Sequence, residues 1–273
     1  MSEFRRLYEP NKKLEVDLSN PRYRLLLMDF HGTIADRQLW SLKGLTETWK
    51  STFGYPAPRY AYRQTLMREN MTHRQHLQKV LDEDDRIDLP QKEEARGGLS
   101  RTFEQHMKDI YLPTPGMRKV MRSMLDAGIN IAILTNGAQT ADIQASLLRW
   151  GMPELVESVY NGPLMNCKKP DPRAVEYIVE DMYSQDQSFD YRDILMVGDQ
   201  FDDTEVAVNA KIDSALMIRP VQTKTLPITY PHPSYVIDNP FDLMDIVAGH
   251  VEPLPAEDGE VTVHPPFFYQ STR

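Results

Sequence analysis

A short apolar run that ends in an aspartate constrains this chain more than any other segment. Residues 24–36 read Arg-Leu-Leu-Leu-Met-Asp-Phe-His-Gly-Thr-Ile-Ala-Asp. The run from Leu25 to Met28 has the length of a buried parallel strand. It places the carboxylate of Asp29 at the C-terminal mouth of that strand, where open α/β sheets bind their ligands. A carboxylate there can act as a covalent nucleophile, and the alternative is an ordinary turn that contains an aspartate.

Three further segments follow in order along the chain. Residues 129–137 and 194–203 are apolar runs that end in polar side chains, and between them a Lys-Lys-Pro sequence precedes a helix that starts at a proline. Helix capping is an alternative explanation for the acidic pair at 202 and 203. The polar residues that end these segments are Thr135, Asn136, Lys169, Asp199, Asp202 and Asp203.

Strand-like and helical stretches alternate on both sides of residues 37–112. Such alternation predicts an α/β fold with a Rossmann-like parallel sheet and helices on both of its faces. The predicted strands are 24–29, 129–134, 194–197 and 215–218, with weaker ones at 156–160 and 235–237. The predicted helices are about 116–127, 140–150, 171–183, 204–210 and 240–247.

Between residues 37 and 112 the apolar residues recur at helical spacing. A loop of that length without structure is implausible inside a compact domain, so we expect an inserted all-helical unit of four or five helices. The core is then 23–36 with 113–250, preceded by an extension at 1–22. Residues 251–273 form a tail that is too rich in proline for regular structure, and its aromatic side chains leave a homodimer open as one mode of association.

The order of aspartate, threonine, lysine and acidic pair resembles the haloacid dehalogenase superfamily, most closely its small-molecule phosphatases. The resemblance covers roughly residues 22–250. It implies that Asp29 is a nucleophile that forms an aspartyl-phosphate, and that Thr135 and Lys169 contact the phosphoryl group. It also implies that Mg²⁺ is the cofactor and a small phosphorylated metabolite, such as a sugar phosphate or nucleoside monophosphate, is the substrate. The implied metal ligands are Asp29, the backbone carbonyl of His31, Asp199 and Asp203.

His31 departs from the pattern of these phosphatases. They usually carry a second aspartate at this position, which acts as general acid and then as general base. An imidazole titrates near neutrality and can protonate a leaving oxygen, so we expect His31 to be catalytic. Members of the superfamily that lack the second aspartate keep two alternatives open. One is a phosphonatase-like or dehalogenase-like hydrolase, and the other is a catalytically weak phosphate-binding protein.

The inserted segment resembles the cap helix entry of sugar-phosphate mutases and phosphatases at residues 71–81. This resemblance implies that Thr72, His73 and Arg74 approach the substrate, and Asn136 is a further candidate for substrate binding. An ordinary surface helix capped by Thr72 is the alternative.

Composition narrows the class of partner. A net charge of −9 disfavours non-specific binding to nucleic acid. No apolar run approaches the length of a membrane span, and the N-terminal residues lack an apolar signal-peptide core. The single cysteine, Cys167, fits a reducing compartment. We therefore expect a cytoplasmic enzyme that binds neither nucleic acid nor membrane.

Overall fold

The computed structural model describes residues 16–66, 73–108, 111–137, 139–186, 188–218, 224–226, 232–254 and 261–263. The strands are β1 (Leu25–Met28), β2 (Asn130–Thr135), β3 (Ser158–Asn161), β4 (Ile194–Gly198), β5 (Asp213–Met217), β6 (Lys224–Leu226), β7 (Tyr235–Ile237) and β8 (Val261–Val263). The helices are α1 (Arg37–Phe53), α2 (Arg59–Leu66), α3 (His73–Glu83), α4 (Leu89–Arg96), α5 (Leu99–Lys108), α6 (Met117–Asp126), α7 (Thr140–Arg149), α8 (Gly162–Met165), α9 (Arg173–Tyr183), α10 (Phe201–Ala210) and α11 (Asp242–Val247).

Six strands form one sheet in the order β3-β2-β1-β4-β5-β7, and all five neighbouring pairs are parallel. The central strands are buried along their whole length. Successive side chains of a strand point to opposite faces, so burial of every residue means that both faces of the sheet are covered. The predicted α/β fold with a Rossmann-like parallel sheet is confirmed.

The strand order places a switch point beside β1. The chain leaves β1 for β2 on one side, whereas β4 lies on the other. Open α/β sheets bind ligands outside the carboxyl ends of their strands at such a point. In the register of the two pairs, Met28 lies opposite Ile133 and Val197. The residues that follow β1 and β4 therefore start side by side.

The chain divides into two compact units, Ala35–Leu112 and the segments on both sides of it. The insertion was predicted to begin at residue 37 and to end at 112. Its described residues contain the five helices α1 to α5 and no strand. Their apolar side chains form a separate core that includes Leu45, Trp49, Leu77, Val80, Leu81 and Phe103. Within it, Trp49 Nε1 donates to the buried carboxylate of Asp84 at 3.1 Å, and Arg86 Nη2 donates to the same group at 2.7 Å.

The two core segments that flank the insertion are joined by hydrogen bonds. The N–H of Thr114 donates to the carbonyl oxygen of Ile34 at 2.8 Å, and its Oγ1 donates to the carbonyl oxygen of Thr33 at 2.6 Å. These bonds hold the loop after β1 against the start of the return segment.

The C-terminal tail departs from the sequence-based expectation. Val261–Val263 forms β8, which pairs antiparallel with Lys224–Leu226. The prediction that the tail lacks regular structure is wrong for these residues. The local reason is that Val-Thr-Val is a proline-free run of β-branched residues, which favour extended backbone. Among the described residues, no helix combines the length and apolar character that crossing a membrane requires.

Candidate active site

Two buried aspartates stand at the carboxyl ends of the central strands. Asp29 directly follows β1, and its N–H donates to the carbonyl oxygen of Val197 in β4 at 2.8 Å. Asp199 directly follows β4. Each residue retains only 7% of its exposure. The parallel register of β1 and β4 therefore brings together two carboxylates that are 170 positions apart in the sequence.

Two glycines allow the backbone to approach these acidic side chains closely. A Cβ atom at Gly32, which has a φ of +95°, would lie 2.2 Å from the carboxylate of Asp199. A Cβ atom at Gly198 would lie 2.1 Å from Cγ of Asp203. Since real Cβ contacts are never that short, any larger residue at either position would displace a carboxylate.

Asp203 and its neighbour Asp202 have different environments. Asp203 lies in the first turn of α10 and is buried, whereas Asp202 is exposed. The backbone N–H of Gln200 donates to Asp203 Oδ2 at 2.9 Å, and Gln200 Nε2 donates to Asp199 Oδ2 at 2.8 Å. Gln200 thus orients both buried carboxylates.

Lys169 supplies the positive charge of the site. Its Nζ donates to Asp29 Oδ1 and to Asp203 Oδ1, both at 2.6 Å, and only 5% of the residue is exposed. Burial alone lowers the pKa of Lys169, but the attraction of Asp203 and Asp29 outweighs it and raises the pKa above the ordinary value. The ammonium group is therefore charged at neutral pH.

The carboxyl group of Asp29 is unusually basic. Burial raises its pKa to about 7, Lys169 opposes that shift, and the negative charges of Asp203 and Asp199 add to it. One cation thus does not fully compensate three clustered carboxylates. A second cation at this point would favour the ionised form of Asp29.

The three carboxylates have the composition of a site for a hard divalent cation. One oxygen atom of each of Asp29, Asp199 and Asp203 lies within 4.8 Å of the others, and all three residues are buried. Mg²⁺ takes oxygen ligands, commonly one or two carboxylates together with water and phosphate oxygens. The donor set, with the close approach that Gly32 provides, therefore fits such an ion.

Thr135 is the last residue of β2, the other neighbour of β1, and Asn136 follows it. Thr135 is buried, and its Oγ1 accepts a hydrogen bond from the N–H of Gly137 at 3.3 Å. Asn136 hydrogen-bonds at both ends of its amide to the backbone of Lys169. The predicted substrate-binding residue is thus joined to the lysine of the site.

His31 lies two residues after Asp29 and is half-buried. Its ring meets the ring of Phe30 edge-on, with 5.2 Å between centroids, and Phe30 stacks on Trp150 at 5.9 Å. Phe30 is fully buried, so it anchors the loop that carries the imidazole.

The predicted contacts from the inserted unit belong to α3 and the residue before it. Thr72 and the side chain of His73 lie outside the described residues. Arg74 is exposed on α3. The structure therefore brings together the core candidates, whereas a substrate role for these three residues stays a prediction.

Sequence reasoning missed Gln200 and Asn209, because neither stands in a motif that carries charge or metal chemistry. Asn209 Nδ2 donates to the carbonyl oxygen of Pro170 at 2.9 Å, next to Lys169. The spacing from Gln200 to Asp203, which form a capping box at the start of α10, is the one signal that could have indicated the first of them.

The chain is similar to known proteins in sequence and in fold. A family model described as haloacid dehalogenase-like hydrolase matches residues 26–217. The phosphoglycolate phosphatase of Photobacterium profundum is 26% identical over 172 residues, which are 63% of this chain and 72% of that protein. The magnesium-bound structure of YfnB from Bacillus subtilis matches with a TM-score of 0.59 and 18% identity, over 83% of this chain and 99% of that one. A HAD-superfamily hydrolase of subfamily IA from Geobacter sulfurreducens PCA matches with a TM-score of 0.55 and 15% identity, over 84% and 98%.

The structural similarities extend over nearly the whole length of those chains and support the fold. The family match spans more than half of this chain, and its range includes Asp29, Lys169 and the acidic loop after β4. The order of these residues along the chain and their meeting at one edge of the sheet agree with that match. The chain therefore belongs to the haloacid dehalogenase-like hydrolases.

Proposed function

We propose that this hydrolase is a Mg²⁺-dependent phosphatase of a small phosphomonoester, such as a sugar phosphate or a nucleoside monophosphate, and that it reacts through an aspartyl-phosphate on Asp29. The observation that carries the proposal is the ammonium group of Lys169, 2.6 Å from both Asp29 and Asp203 at the mouth of the sheet. Phosphoryl transfer needs a positioned nucleophile and neutralisation of charge on the phosphoryl oxygens. The similarity to the phosphoglycolate phosphatase of Photobacterium profundum supports a phosphatase.

In the first step, an oxygen of Asp29 attacks phosphorus, and the bond between phosphorus and the ester oxygen breaks. The leaving oxygen takes a proton from the imidazolium of His31. The product alcohol departs and the phosphoryl group remains on Asp29 as an acyl phosphate.

In the second step, a water molecule attacks phosphorus, and the bond from phosphorus to the Asp29 oxygen breaks. The neutral imidazole of His31 takes the proton of that water. Inorganic phosphate leaves, and both Asp29 and His31 return to their starting states.

Two further residues complete the proposed chemistry. Lys169 neutralises charge on Asp29 and on the transferring group, and Thr135 donates a hydrogen bond to a phosphoryl oxygen. Asp29, Asp199, Asp203 and the backbone carbonyl of His31 would hold Mg²⁺, which supplies charge neutralisation to the phosphoryl oxygens when bound.

The histidine at position 31 favours a second candidate function, a phosphonatase-like or dehalogenase-like hydrolase. Cleavage of a carbon–phosphorus or carbon–halogen bond needs no carboxylate general acid, so a histidine at this position is compatible with either reaction. Three buried carboxylates argue against carbon–halogen cleavage, because that reaction needs no metal.

A panel of substrates tests the proposed function. Release of phosphate from sugar phosphates, nucleoside monophosphates and phosphoglycolate would be measured with Mg²⁺ and with a chelator. The proposal predicts turnover of at least one phosphomonoester that depends on Mg²⁺. Hydrolysis of phosphonoacetaldehyde or of a haloacid, with no activity on any phosphomonoester, would favour the second candidate instead.

The acidic pair at the start of α10 offers a matched test. Asp203 is buried against Lys169, whereas Asp202 is exposed. We expect Asp203→Asn to lower kcat/KM about 10²-fold, a loss typical of removing a supporting charge from a catalytic site. Asp202→Asn should stay within about twofold of the wild type, as for other surface changes. Equal losses in both variants, measured with the best phosphomonoester, would contradict the assignment of Asp203.

Binding of Mg²⁺ should also stabilise the fold. A ligand present at about 100 times its Kd contributes roughly 2.7 kcal/mol, which raises the melting temperature of a unit of this size by about 5–10 °C. The shift would be measured by scanning calorimetry on chelator-treated protein with added Mg²⁺. Asp199→Asn should reduce the shift, whereas Asp202→Asn should preserve it. A melting temperature that saturating Mg²⁺ leaves unchanged would argue against the metal site.

A further inference from the structure

The side chain of Asn136 is tied to the backbone of Lys169 at two points. Asn136 Nδ2 donates to the carbonyl oxygen of Lys169 at 2.8 Å, and the N–H of Lys169 donates to Asn136 Oδ1 at 3.0 Å. Both bonds lie within the normal range for N–H···O hydrogen bonds. The side-chain amide of Asn136 therefore hydrogen-bonds to the N–H and to the carbonyl oxygen of Lys169, as the backbone of a neighbouring strand would. We call this pair of bonds the Asn136 clamp.

The surroundings fix this clamp from two directions. A Cβ atom at Gly162 would lie 2.8 Å from Asn136 Oδ1, so the amide fits only because position 162 is a glycine. On the other side, Asn209 Nδ2 donates to the carbonyl oxygen of Pro170 at 2.9 Å. The segment that carries Lys169 is thus held by β2 through Asn136 and by α10 through Asn209.

We propose that Asn136 is a positioning residue that acts through Lys169. It fixes the backbone of Lys169 so that the ammonium group stands between Asp29 and Asp203. The sequence suggested instead that Asn136 contacts the substrate. The catalytic consequence of the proposal rests on the phosphatase function proposed above, whereas its structural content does not.

The physical argument concerns the length of the lysine side chain. Four rotatable bonds separate the backbone of Lys169 from its ammonium group, and ordering such a side chain costs about 2 kcal/mol. The carboxylates fix one end at 2.6 Å, and the clamp fixes the other. A misplacement of about 1 Å can cost on the order of 10²-fold in rate. Loss of the two hydrogen bonds to the backbone of Lys169 should therefore lower the rate of phosphoryl transfer.

The first arm of the test measures how well the ammonium group of Lys169 is protected from chemical modification, without any substrate. Folded protein would be treated with acetic anhydride, and acetylation of each lysine would be followed by peptide mass spectrometry. Wild-type Lys169 is expected to be protected, with the exposed Lys168 as the internal standard. Asn136→Ala should make Lys169 several-fold more reactive relative to Lys168.

A matched control comes from the other end of the same strand. Asn130 opens β2, and its Nδ2 donates to the hydroxyl of Tyr183 at 2.7 Å. Asn130→Ala removes one asparagine hydrogen bond at a position six residues, or about 20 Å of extended chain, before Asn136. It should leave the protection of Lys169 and the kinetic constants unchanged. Melting curves of both variants would confirm that they are folded.

The second arm is a double-mutant cycle on turnover. Asn136→Ala should lower kcat about 10- to 100-fold and change KM by no more than about twofold, because no substrate contact is lost. In a Lys169→Gln background the same change should have no further effect on kcat, since residues that act through one another are not additive. Asn136→Asp keeps the acceptor and loses the donor, so its kcat should lie between those of the wild type and Asn136→Ala.

Three results would overturn the proposal: Lys169 remains as protected in Asn136→Ala as in the wild type, KM rises while kcat is unchanged, or the two substitutions are additive. A wild-type protein that hydrolyses no phosphomonoester would contradict the proposed function. The acetylation experiment alone would then decide whether Asn136 positions Lys169. The two failures are therefore distinguishable.

Discussion

Asn in place of Asp29 should abolish turnover while the protein remains folded. The substitution keeps the shape of the side chain and removes the attacking carboxylate. Loss of a covalent nucleophile costs about 10⁴-fold or more in kcat. The rate of phosphate release under saturating Mg²⁺ would be compared with that of the wild type. Retention of more than a small fraction of the activity would exclude covalent catalysis by Asp29.

Stability measurements provide the control for this variant. Burial raises the pKa of Asp29 from 3.8 to about 7, so the folded metal-free protein binds more protons than the unfolded chain between these values. The contribution of Asp29 to the stability of the fold therefore falls as the pH rises from about 4 through 7. Since Asn cannot ionise, metal-free Asp29→Asn should melt at or above the wild-type temperature at a pH of about 8, above both values. A much lower melting temperature would mean that the lost activity reflects unfolding.

Removing the imidazole of His31 is expected to have the second-largest effect. General acid and base catalysis contributes about 10²–10⁴-fold, so His31→Ala should lose that much kcat on an alkyl phosphate. An aryl phosphate has a leaving group that needs little protonation, so the first step on that substrate should be affected much less. Because kcat/KM reports the steps up to departure of the alcohol, its loss on the alkyl phosphate relative to the aryl phosphate measures proton transfer to the leaving oxygen.

Replacement of the same residue by aspartate supplies the complementary result. A carboxyl group titrates at lower pH than an imidazole, so His31→Asp should retain phosphatase activity and shift the pH optimum downwards. If His31→Ala matched the wild type on both substrates, the imidazole would have no role in proton transfer. The protein would then be either a slow phosphoenzyme former or an enzyme whose acid belongs to the inserted helical unit, with His73 and His76 the next candidates to test.

The parallel sheet and the core candidates of the site could be predicted from the sequence for a physical reason. A strand buried on both faces is a short, nearly continuous apolar run, and a polar residue after such a run must lie at the carboxyl edge of the sheet. The strands at Leu25–Met28, Asn130–Thr135 and Ile194–Gly198 were readable in this way. Because parallel strands align their ends, the polar side chains that end these runs gather at one edge of the sheet.

The supporting interactions could not be predicted, because they depend on contacts between residues distant in the chain. The bonds from Asn136 to Lys169 and from Asn209 to Pro170 join segments 33 and 39 positions apart. Neutral amides carry no pattern that distinguishes a clamp from a surface side chain. The resemblance already implied Asp203 rather than Asp202, but the physical difference between them needed the first turn of α10, where Asp203 is buried and Asp202 is exposed.

The central claim is that a phosphoryl group is transferred to Asp29, and His31→Ala offers the best conditions for observing it. An aryl phosphate should still phosphorylate this variant, whereas hydrolysis of the acyl phosphate is slowed without the base, so the phosphoenzyme should accumulate. Acid quenching within the first turnovers, followed by peptide mass spectrometry, would locate the phosphoryl group. We expect it on Asp29, and we expect no label in the double variant with Asp29→Asn. Continued turnover of the aryl phosphate with no phosphoryl group on Asp29, or with the group on another residue, would contradict the claim.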